Sequence, residues 1–202
     1  MEGVEHLATI CKHDTPTLSL GGMLGGDQAV LDLFADKVRA AKVIHSKLSE
    51  INNVAVEHVL ARFCLSSCKV VHQLRIHGET LAQHPEHVSA YDDVVRGTLE
   101  RLFPGLEDEG YLQAGLGSSV GGLGFRHAKK MILLAFIASR VSCRPKVQHL
   151  ASAFAVAGLI NPRVFMENYD RTTEEVVSSF ERSLDVDERN QVRQVVDGAQ
   201  IL

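Results

Sequence analysis

The apolar residues of this chain recur mainly at three- and four-residue steps, and that spacing restricts its fold more than any other feature. Such a period places apolar side chains on one face of an α-helix, whereas a half-buried strand needs strict alternation. Only residues 15–20 alternate polar and apolar side chains. The sequence therefore predicts an all-α fold of about seven helices. A short extended remnant, residues 1–26, is expected to precede a helical domain over residues 27–202.

The residues that start and stop helices predict where the first three lie. Asp27 resembles an N-cap, and the helix after it is expected to end near Ile51. Asn53 can cap a second helix that Gly78 closes, and Pro85 suits the first turn of a third. Each helix has one apolar stripe that we expect to be buried. The stripes are Val30, Leu31, Phe34, Val38, Ala41, Ile44 and Leu48, then Val56, Val59, Leu60, Phe63, Ser67, Val70, Val71 and Leu74, then Val88, Tyr91, Val95, Leu99 and Leu102.

A glycine-dense stretch over residues 111–127, the glycine segment, separates these helices from a second helical region. Closely spaced glycines favour an irregular turn, because they adopt backbone conformations that other residues avoid. The helix expected after it, over residues 125–142, has a centre at 131–138 that is apolar on all sides and should lie centrally in the core. Pro145 is expected to break this helix. Further helices are predicted over residues 147–159 and 172–184, the latter with a capping box at Thr172 and Glu175, and after Asp185. A short segment over residues 161–169 is expected between the first two.

Two chemical motifs overlap the glycine segment, and both lack essential parts. Residues 117–121 match the G-x-S-x-G motif of hydrolases, yet no His follows His149 and no parallel sheet is predicted around it. Two glycines have the spacing of a phosphate-binding P-loop, but Leu123 stands where a Lys is required. The N–H groups after Gly124, beside Arg126, remain able to hold a phosphate. The segment thus indicates no catalytic residue and no nucleotide cofactor.

Two other patterns invite a metal site. Asp92 and Asp93 follow a Tyr, as in the metal-binding motif of polymerases, but they lie within a helical stripe and are interpreted as solvated surface residues. Cys64, Cys68 and His72 are four residues apart, but the outer two lie about 12 Å apart along a helix axis, too far to share an ion. Both cysteines are interpreted as small core residues. The sequence predicts no metal site.

Charge is distributed unevenly along the chain, although the net charge is only −4. Residues 110–166 contain no Asp or Glu. Clustered Lys and Arg without acids are typical of surfaces that bind phosphate groups of nucleic acids. Solvated helix faces with no ligand are the alternative. The basic residues of this stretch are Arg126, Lys129, Lys130, Arg140, Arg144, Lys146 and Arg163.

Compartment signals are consistent with an intracellular protein, in the cytoplasm or the nucleus. The four cysteines suit a reduced environment better than a disulfide scaffold. No basic segment followed by an apolar one marks a secretory signal, and no apolar run is long enough to cross a membrane. We therefore expect no membrane partner.

Three separated stretches, in order, resemble the reverse transcriptases of non-LTR retrotransposons. Residues 20–25, Leu-Gly-Gly-Met-Leu-Gly, are similar to the turn after the catalytic strands, and residues 63–75 are similar to a helix ending in Leu-Arg. The most specific likeness is in residues 113–126, which resemble a Gln-Ala-x-Leu-Pro segment leading to Gly-Gly-Leu-Gly-Leu-Arg. Gly117 stands in place of that Pro, and Tyr111 stands where Trp is frequent.

The resemblance implies the mostly helical region that follows the palm in these RNA-directed DNA polymerases: the thumb and what comes after it. That region grips the template–primer backbone, and the chemistry belongs to a palm that this chain lacks. The chain is therefore expected to be catalytically incompetent on its own. Its phosphate contacts would position an RNA or DNA duplex without reading its sequence. The expected contact residues are Arg126, Lys129, Lys130, Arg140, Arg144, Lys146 and, more weakly, Arg75.

A competing interpretation belongs to another class of protein. A helical interaction or scaffold module would use an exposed apolar face to bind a protein partner or a second copy of itself. The position of the basic side chains distinguishes the two, because bases that scatter or pair with acids cannot form one phosphate-binding surface.

Overall fold

The computed structural model of the protein describes residues 16–19 and 22–182. This part of the chain is helical apart from one small hairpin, so the all-α prediction is confirmed. Strands β1 (Thr17–Ser19) and β2 (Gly22–Leu24) pair antiparallel, with Leu18 opposite Met23. The helices are α1 (Asp27–Leu48), α2 (Val54–Leu60), α3 (Val71–Gln83), α4 (Pro85–Leu102), α5 (Asp108–Ala114), α6 (Ala128–Val156) and α7 (Pro162–Glu181).

Most helix boundaries follow the local signals. Asn53 Oδ1 accepts a hydrogen bond from the Val56 N–H at 3.1 Å and caps α2, and Pro85 is the first residue of α4. Asp27 is the first residue of α1 rather than its cap, and Gly26 occupies the cap position. The acidic side chain still suits the positive end of the helix dipole. The turn expected around residues 20–26 contains strand β2 instead.

The chain divides into two compact units. Among the described residues, the first unit comprises 16–19, 22–73 and 83–129, and the second comprises 74–82 and 130–182. The division expected after residue 26 stays a prediction.

The core of the first unit lies where α1 packs against α4. Phe34 from α1 and Tyr91 from α4 are each 1% exposed, and Val88 and Leu99 are completely buried. The predicted stripes of these two helices are therefore mostly the buried faces, because a three-to-four-residue period is a property of the helix itself. Ile44 is an exception, since it is 42% exposed.

The core of the second unit lies where α6 packs against α7. Phe136, Ile137 and Val141 of α6 form one cluster with Val176 and Val177 of α7. The middle of α6 is buried on one side rather than all round, because Leu134 is 46% exposed.

Gly78 plays a different part from the one predicted. Helix α3 continues past it to Gln83, with a local distortion at His77, so Gly78 does not close the helix. A Cβ atom added to Gly78 would lie 2.5 Å from Cβ of Phe136. Gly78 is needed because α6 approaches α3 closely at this point. From sequence alone, a glycine that permits close helix packing looks the same as a glycine that ends a helix.

Two predicted breaks in the second unit are wrong. Helix α6 runs through Pro145, which is exposed, and residues on both sides of it, Val141 and Ala151, are buried. The proline has a local cost of about 3 kcal/mol in a helix interior, and the helix nevertheless continues for eleven residues beyond it. Helix α7 is likewise continuous: the Thr172 hydroxyl donates to the Asn168 carbonyl within the helix instead of capping a new one. The helix expected after Asp185 lies outside the described residues.

The second predicted helix is interrupted. After α2 come a π-helical turn, Ala61–Leu65, and a 3₁₀ turn, Ser67–Lys69, before α3 begins. Val59 of α2 and Phe63 of the π-helical turn are 50% and 62% exposed, although both belong to the predicted buried stripe. Cys64 and Cys68 are exposed, so their interpretation as core residues is also wrong.

Candidate nucleic-acid interface

The glycine segment forms a closed, hydrogen-bonded loop in front of α6. The N–H groups of Leu123 and Phe125 both donate to the Ala114 carbonyl, at 3.2 and 3.0 Å. Gly121 and Gly124 have positive φ angles of 82° and 77°. At Gly122 an added Cβ would lie 2.1 Å from the Leu116 carbonyl oxygen. These glycines are therefore required by turn geometry and close backbone contact.

The N-terminus of α6 already has an anion bound to it, the side chain of Asp92. Its two carboxylate oxygens accept hydrogen bonds from the N–H groups of Ala128 (2.7 Å) and Lys129 (3.0 Å). Burial raises the pKa of this carboxyl, while these two N–H groups and His127 act in the opposite direction. The interpretation of Asp92 as a solvated surface residue is wrong, although Asp93 is exposed as predicted.

This cap also corrects the expectation of a phosphate site after Gly124. A helix N-terminus attracts anions because its first N–H groups have no partner within the helix. Here Asp92 satisfies the N–H groups of Ala128 and Lys129, so a phosphate would have to displace a carboxylate. Any phosphate contact in this region must come from side chains instead.

Three of the predicted contact residues lie together at the start of α6. Arg126, Lys129 and Lys130 are all exposed. None of their charged groups has an ion pair or hydrogen bond among the residues that the structure describes. Their charges are therefore open to solvent and to a polyanion.

Arg62 joins the glycine segment, and sequence reasoning missed it. A Cβ atom added to Gly124 would lie 2.8 Å from Nε of Arg62, so the guanidinium lies directly on the backbone there. Cζ of Arg62 is 4.7 Å from the centroid of the exposed Phe63 ring. No local pattern links residues 62 and 124. Gly124 has a positive φ angle and lies against Arg62, but nothing in the sequence shows which residue lies against it.

Arg140, by contrast, is engaged within the second unit. Its guanidinium donates to the Thr173 hydroxyl and to the Tyr169 carbonyl, both at 2.7 Å. Cζ lies 4.0 Å from the centroid of the Tyr169 ring, which is cation–π distance. The Tyr169 hydroxyl in turn donates to the Arg140 carbonyl at 2.7 Å. The contacts of Arg140 therefore link α6 to α7.

Arg144 is engaged one turn further along α6. It forms two parallel hydrogen bonds with the carboxylate of Asp170, at 2.7 and 2.6 Å. The pairing raises the pKa of the guanidinium. A bidentate pair of this kind opposes a phosphate contact, because the carboxylate already fills both donor directions. The side chain is still 35% exposed.

Lys146 and Arg75 are exposed residues of the second unit. On an ideal helix Lys146 lies about 200° of rotation from Arg144, on a different side of α6. The structure therefore does not gather all seven predicted contact residues on one helix face. Arg126, Lys129 and Lys130 lie within five residues of one another in sequence at the start of α6, and Arg62 lies beside Gly124 in the first unit.

The second unit also has a concentrated apolar surface, at the end of α6 and the start of α7. We call it the hairpin tip. Each of its large apolar side chains is more than 40% exposed. It consists of Leu150, Phe154, Val156, Leu159, Val164 and Phe165.

Compared with known proteins, the chain matches no protein-family model, no curated protein and no solved structure. The relationship to reverse transcriptases therefore stays a prediction. Within residues 16–19 and 22–182, no cluster of His, Cys, Asp or Glu has the size and geometry to hold a metal ion. In the same residues, no helix is both long and apolar enough to cross a membrane.

Proposed function

We propose that the protein binds the phosphate backbone of an RNA or DNA duplex, without sequence preference, through the side chains at the start of α6. Arg126, Lys129 and Lys130 are the principal contacts, and Arg62 supports them. The observation that carries this proposal is that three exposed bases within five residues have no acidic partner in the described chain. Free Lys and Arg side chains gain affinity by releasing counterions from nucleic acid, and paired ones gain much less.

The proposal includes descent from the post-palm region of a non-LTR retrotransposon reverse transcriptase, and no polymerase activity by the chain alone. The position of Asp92 supports the second part. One of the two adjacent carboxylates that invite comparison with a polymerase site is used to cap α6. A primer-extension assay with Mg²⁺ tests this, and incorporation by the purified chain would contradict it.

The salt dependence of duplex binding tests the contact residues. Fluorescence anisotropy with a labelled 20-base-pair duplex gives the dissociation constant at several salt concentrations. Each contacted phosphate contributes about 0.9 to the slope of log affinity against log salt. Lys129→Ala/Lys130→Ala should therefore reduce the slope by about 1.8.

A matched control has the same change in net charge at a different place. Lys42→Ala/Lys47→Ala removes two exposed lysines of α1 and should leave the slope nearly unchanged. Equal losses in the two double variants would show attraction by net charge alone. Undetectable binding at low salt would exclude the nucleic-acid function.

The hairpin tip favours a second candidate function, an apolar contact with another protein surface. Six large apolar side chains within residues 150–165 are exposed, and exposed apolar patches commonly mark interaction sites. A second copy of the chain is the first partner to test. Sedimentation of the protein and of Phe154→Ser over a concentration series should show self-association that the substitution abolishes. A monomer at high concentration would remove self-association as a role for the tip.

A further inference from the structure

A small cavity in the first unit lies between α1, the π-helical turn and α4. Its volume is about 180 Å³. Two aromatic side chains with almost no exposure form part of its wall: His45 of α1, 5% exposed, and Tyr91 of α4, 1% exposed. We call it the His45 cavity. No function described above uses it.

The π-helical turn fixes the shape of this cavity. The turn ends at Leu65, whose carbonyl accepts one hydrogen bond from the Tyr91 hydroxyl at 2.8 Å and another from Nε2–H of His45 at 3.1 Å. Nδ1 of His45 is 2.7 Å from the Thr98 hydroxyl. The polar atoms of both rings are thus already satisfied, and the rings are held rigidly. Irregular π-helical turns of this kind occur often beside functional sites.

The wall of the cavity is mostly apolar, and the cavity opens to solvent at the exposed residues Ala40 and Ile44. Ala40, Ala41, Ile44 and Val70 line it together with the two rings. Small-molecule sites are typically apolar cavities with few polar groups, and those groups set the orientation of the ligand. An apolar or aromatic ligand body therefore suits the lining.

Two cations complete the lining, Lys37 and Lys69. Both are exposed, and neither ammonium group has an ion pair or hydrogen bond among the described residues. No acidic residue lines the cavity. The nearest acid along α1, Asp36, is paired with Arg39. Two unpaired positive charges beside an apolar space favour a ligand with one anionic end.

We propose that the His45 cavity binds a small monocarboxylate with an apolar body, its carboxylate facing Lys37 and Lys69. A dry apolar cavity of about 150 Å³ can hold benzene. The volume here therefore sets the ligand body at about the size of one aromatic ring or a short alkyl chain. The proposal does not depend on nucleic-acid binding, since the residues involved are different.

Benzoate is the probe, and benzamide is the neutral analogue of the same shape. Two-dimensional NMR of the full chain should show saturable shifts around residues 40–45 and 65–70 with benzoate. Benzamide should bind at least about tenfold more weakly, which corresponds to about 1.4 kcal/mol for the loss of charge. Equal affinity for the two probes, or no saturable shift with benzoate, would overturn the proposal.

Two variants test the roles of the lysines and of the space. Lys37→Ala/Lys69→Ala should remove the preference for benzoate, whereas Lys42→Ala/Lys47→Ala should keep it. Ala40→Leu, at an exposed position, should fill the cavity and weaken both probes without unfolding the protein. Retention of the preference in the first variant would overturn the proposal even if the cavity binds both probes.

Discussion

A single carboxylate, that of Asp92, holds the start of the longest helix in the structure. It lies 36 residues before the first N–H group that it binds. The carboxylate is half-buried, and that burial raises its pKa. Nothing in the residues around Asp92 indicates that its partner is a distant helix end.

Asp92→Ala should lower the free energy of unfolding by about 1–2 kcal/mol, as expected for the loss of a capping side chain. Asp92→Asn should lose less, because an amide oxygen still accepts one hydrogen bond. Asp93→Ala, at the exposed neighbour, should stay within about 0.5 kcal/mol of the natural protein. Urea unfolding measures all three. Equal losses at residues 92 and 93 would contradict the capping role.

His45 should make stability depend on pH in a defined direction. Burial lowers the pKa of its imidazole from the ordinary value of 6.5, against the effect of the hydrogen bond to Leu65. The unfolded chain therefore binds the proton more readily. The contribution of neutral His45 to the free energy of unfolding is therefore complete above about pH 6.5. It is lost as the pH falls through the lower pKa of the folded state.

The check is the difference between natural protein and His45→Gln. Gln can donate to the Leu65 carbonyl but does not titrate. The stability difference in favour of the natural protein should shrink steadily from pH 7 to pH 5. A constant difference over that range would show that the imidazole is not responsible.

At the scale of elements, helix packing depends on where side chains are missing as much as on where they are present. Gly78 and Gly97 both lie inside helices, yet their surroundings are opposite. A Cβ atom on Gly78 would meet Phe136 and the Ile132 carbonyl, whereas one on Gly97 would meet nothing within 4 Å.

Gly78→Ala should destabilise the protein by about 1–3 kcal/mol, as overpacked sites do. Gly97→Ala should stabilise it by about 0.5–1 kcal/mol, because alanine favours the helix and clashes with nothing. Thermal unfolding of the pair measures both signs. Two stabilised variants would contradict the close packing of α3 at Gly78.

Arg140 and Arg144 both link α6 to α7, and they should contribute differently to the free energy of unfolding. Arg140→Ala removes two hydrogen bonds and the stacking on Tyr169, and we expect a loss of about 2–3 kcal/mol. Arg144 and Asp170 are 35% and 42% exposed, so Arg144→Ala should cost no more than about 1 kcal/mol. Denaturant unfolding gives both values. Neither change should alter the salt slope of duplex binding. A reduced slope would return these arginines to the nucleic-acid interface.

At the scale of the whole molecule, the net charge is −4. Among the described residues, some Lys and Arg side chains form ion pairs, such as Arg144 with Asp170, and others do not. The chain has ten histidines, and histidine is the residue type that generally gains positive charge just below neutral pH. Net charge should therefore vanish between about pH 6 and 7, where proteins associate most readily. Light scattering at low salt should rise there and fall at pH 8. A maximum near pH 4–5 would contradict this expectation.

The features that sequence predicts are those whose cause is local. The stripes of α1 and α4 and the cap at Asn53 follow from helix period and side-chain reach, which act within a few residues. The error at Gly78 arises because close packing against another helix outweighs the tendency of glycine to end a helix, and no local signal shows that α6 continues through Pro145. The basic surface was only half predictable, since the acid-free stretch is visible in the sequence but the partners of Arg140 and Arg144 are not.

The Leu65 carbonyl accepts hydrogen bonds from two side chains, 20 and 26 residues away on either side. If the π-helical turn opened alone, two buried donors would lose their partner at once, at about 1–3 kcal/mol each. The turn should therefore open only together with α1 and α4, as one cooperative unit. Its amide protons should exchange with solvent as slowly as those of the flanking helices, although the turn itself has no regular α-helical structure.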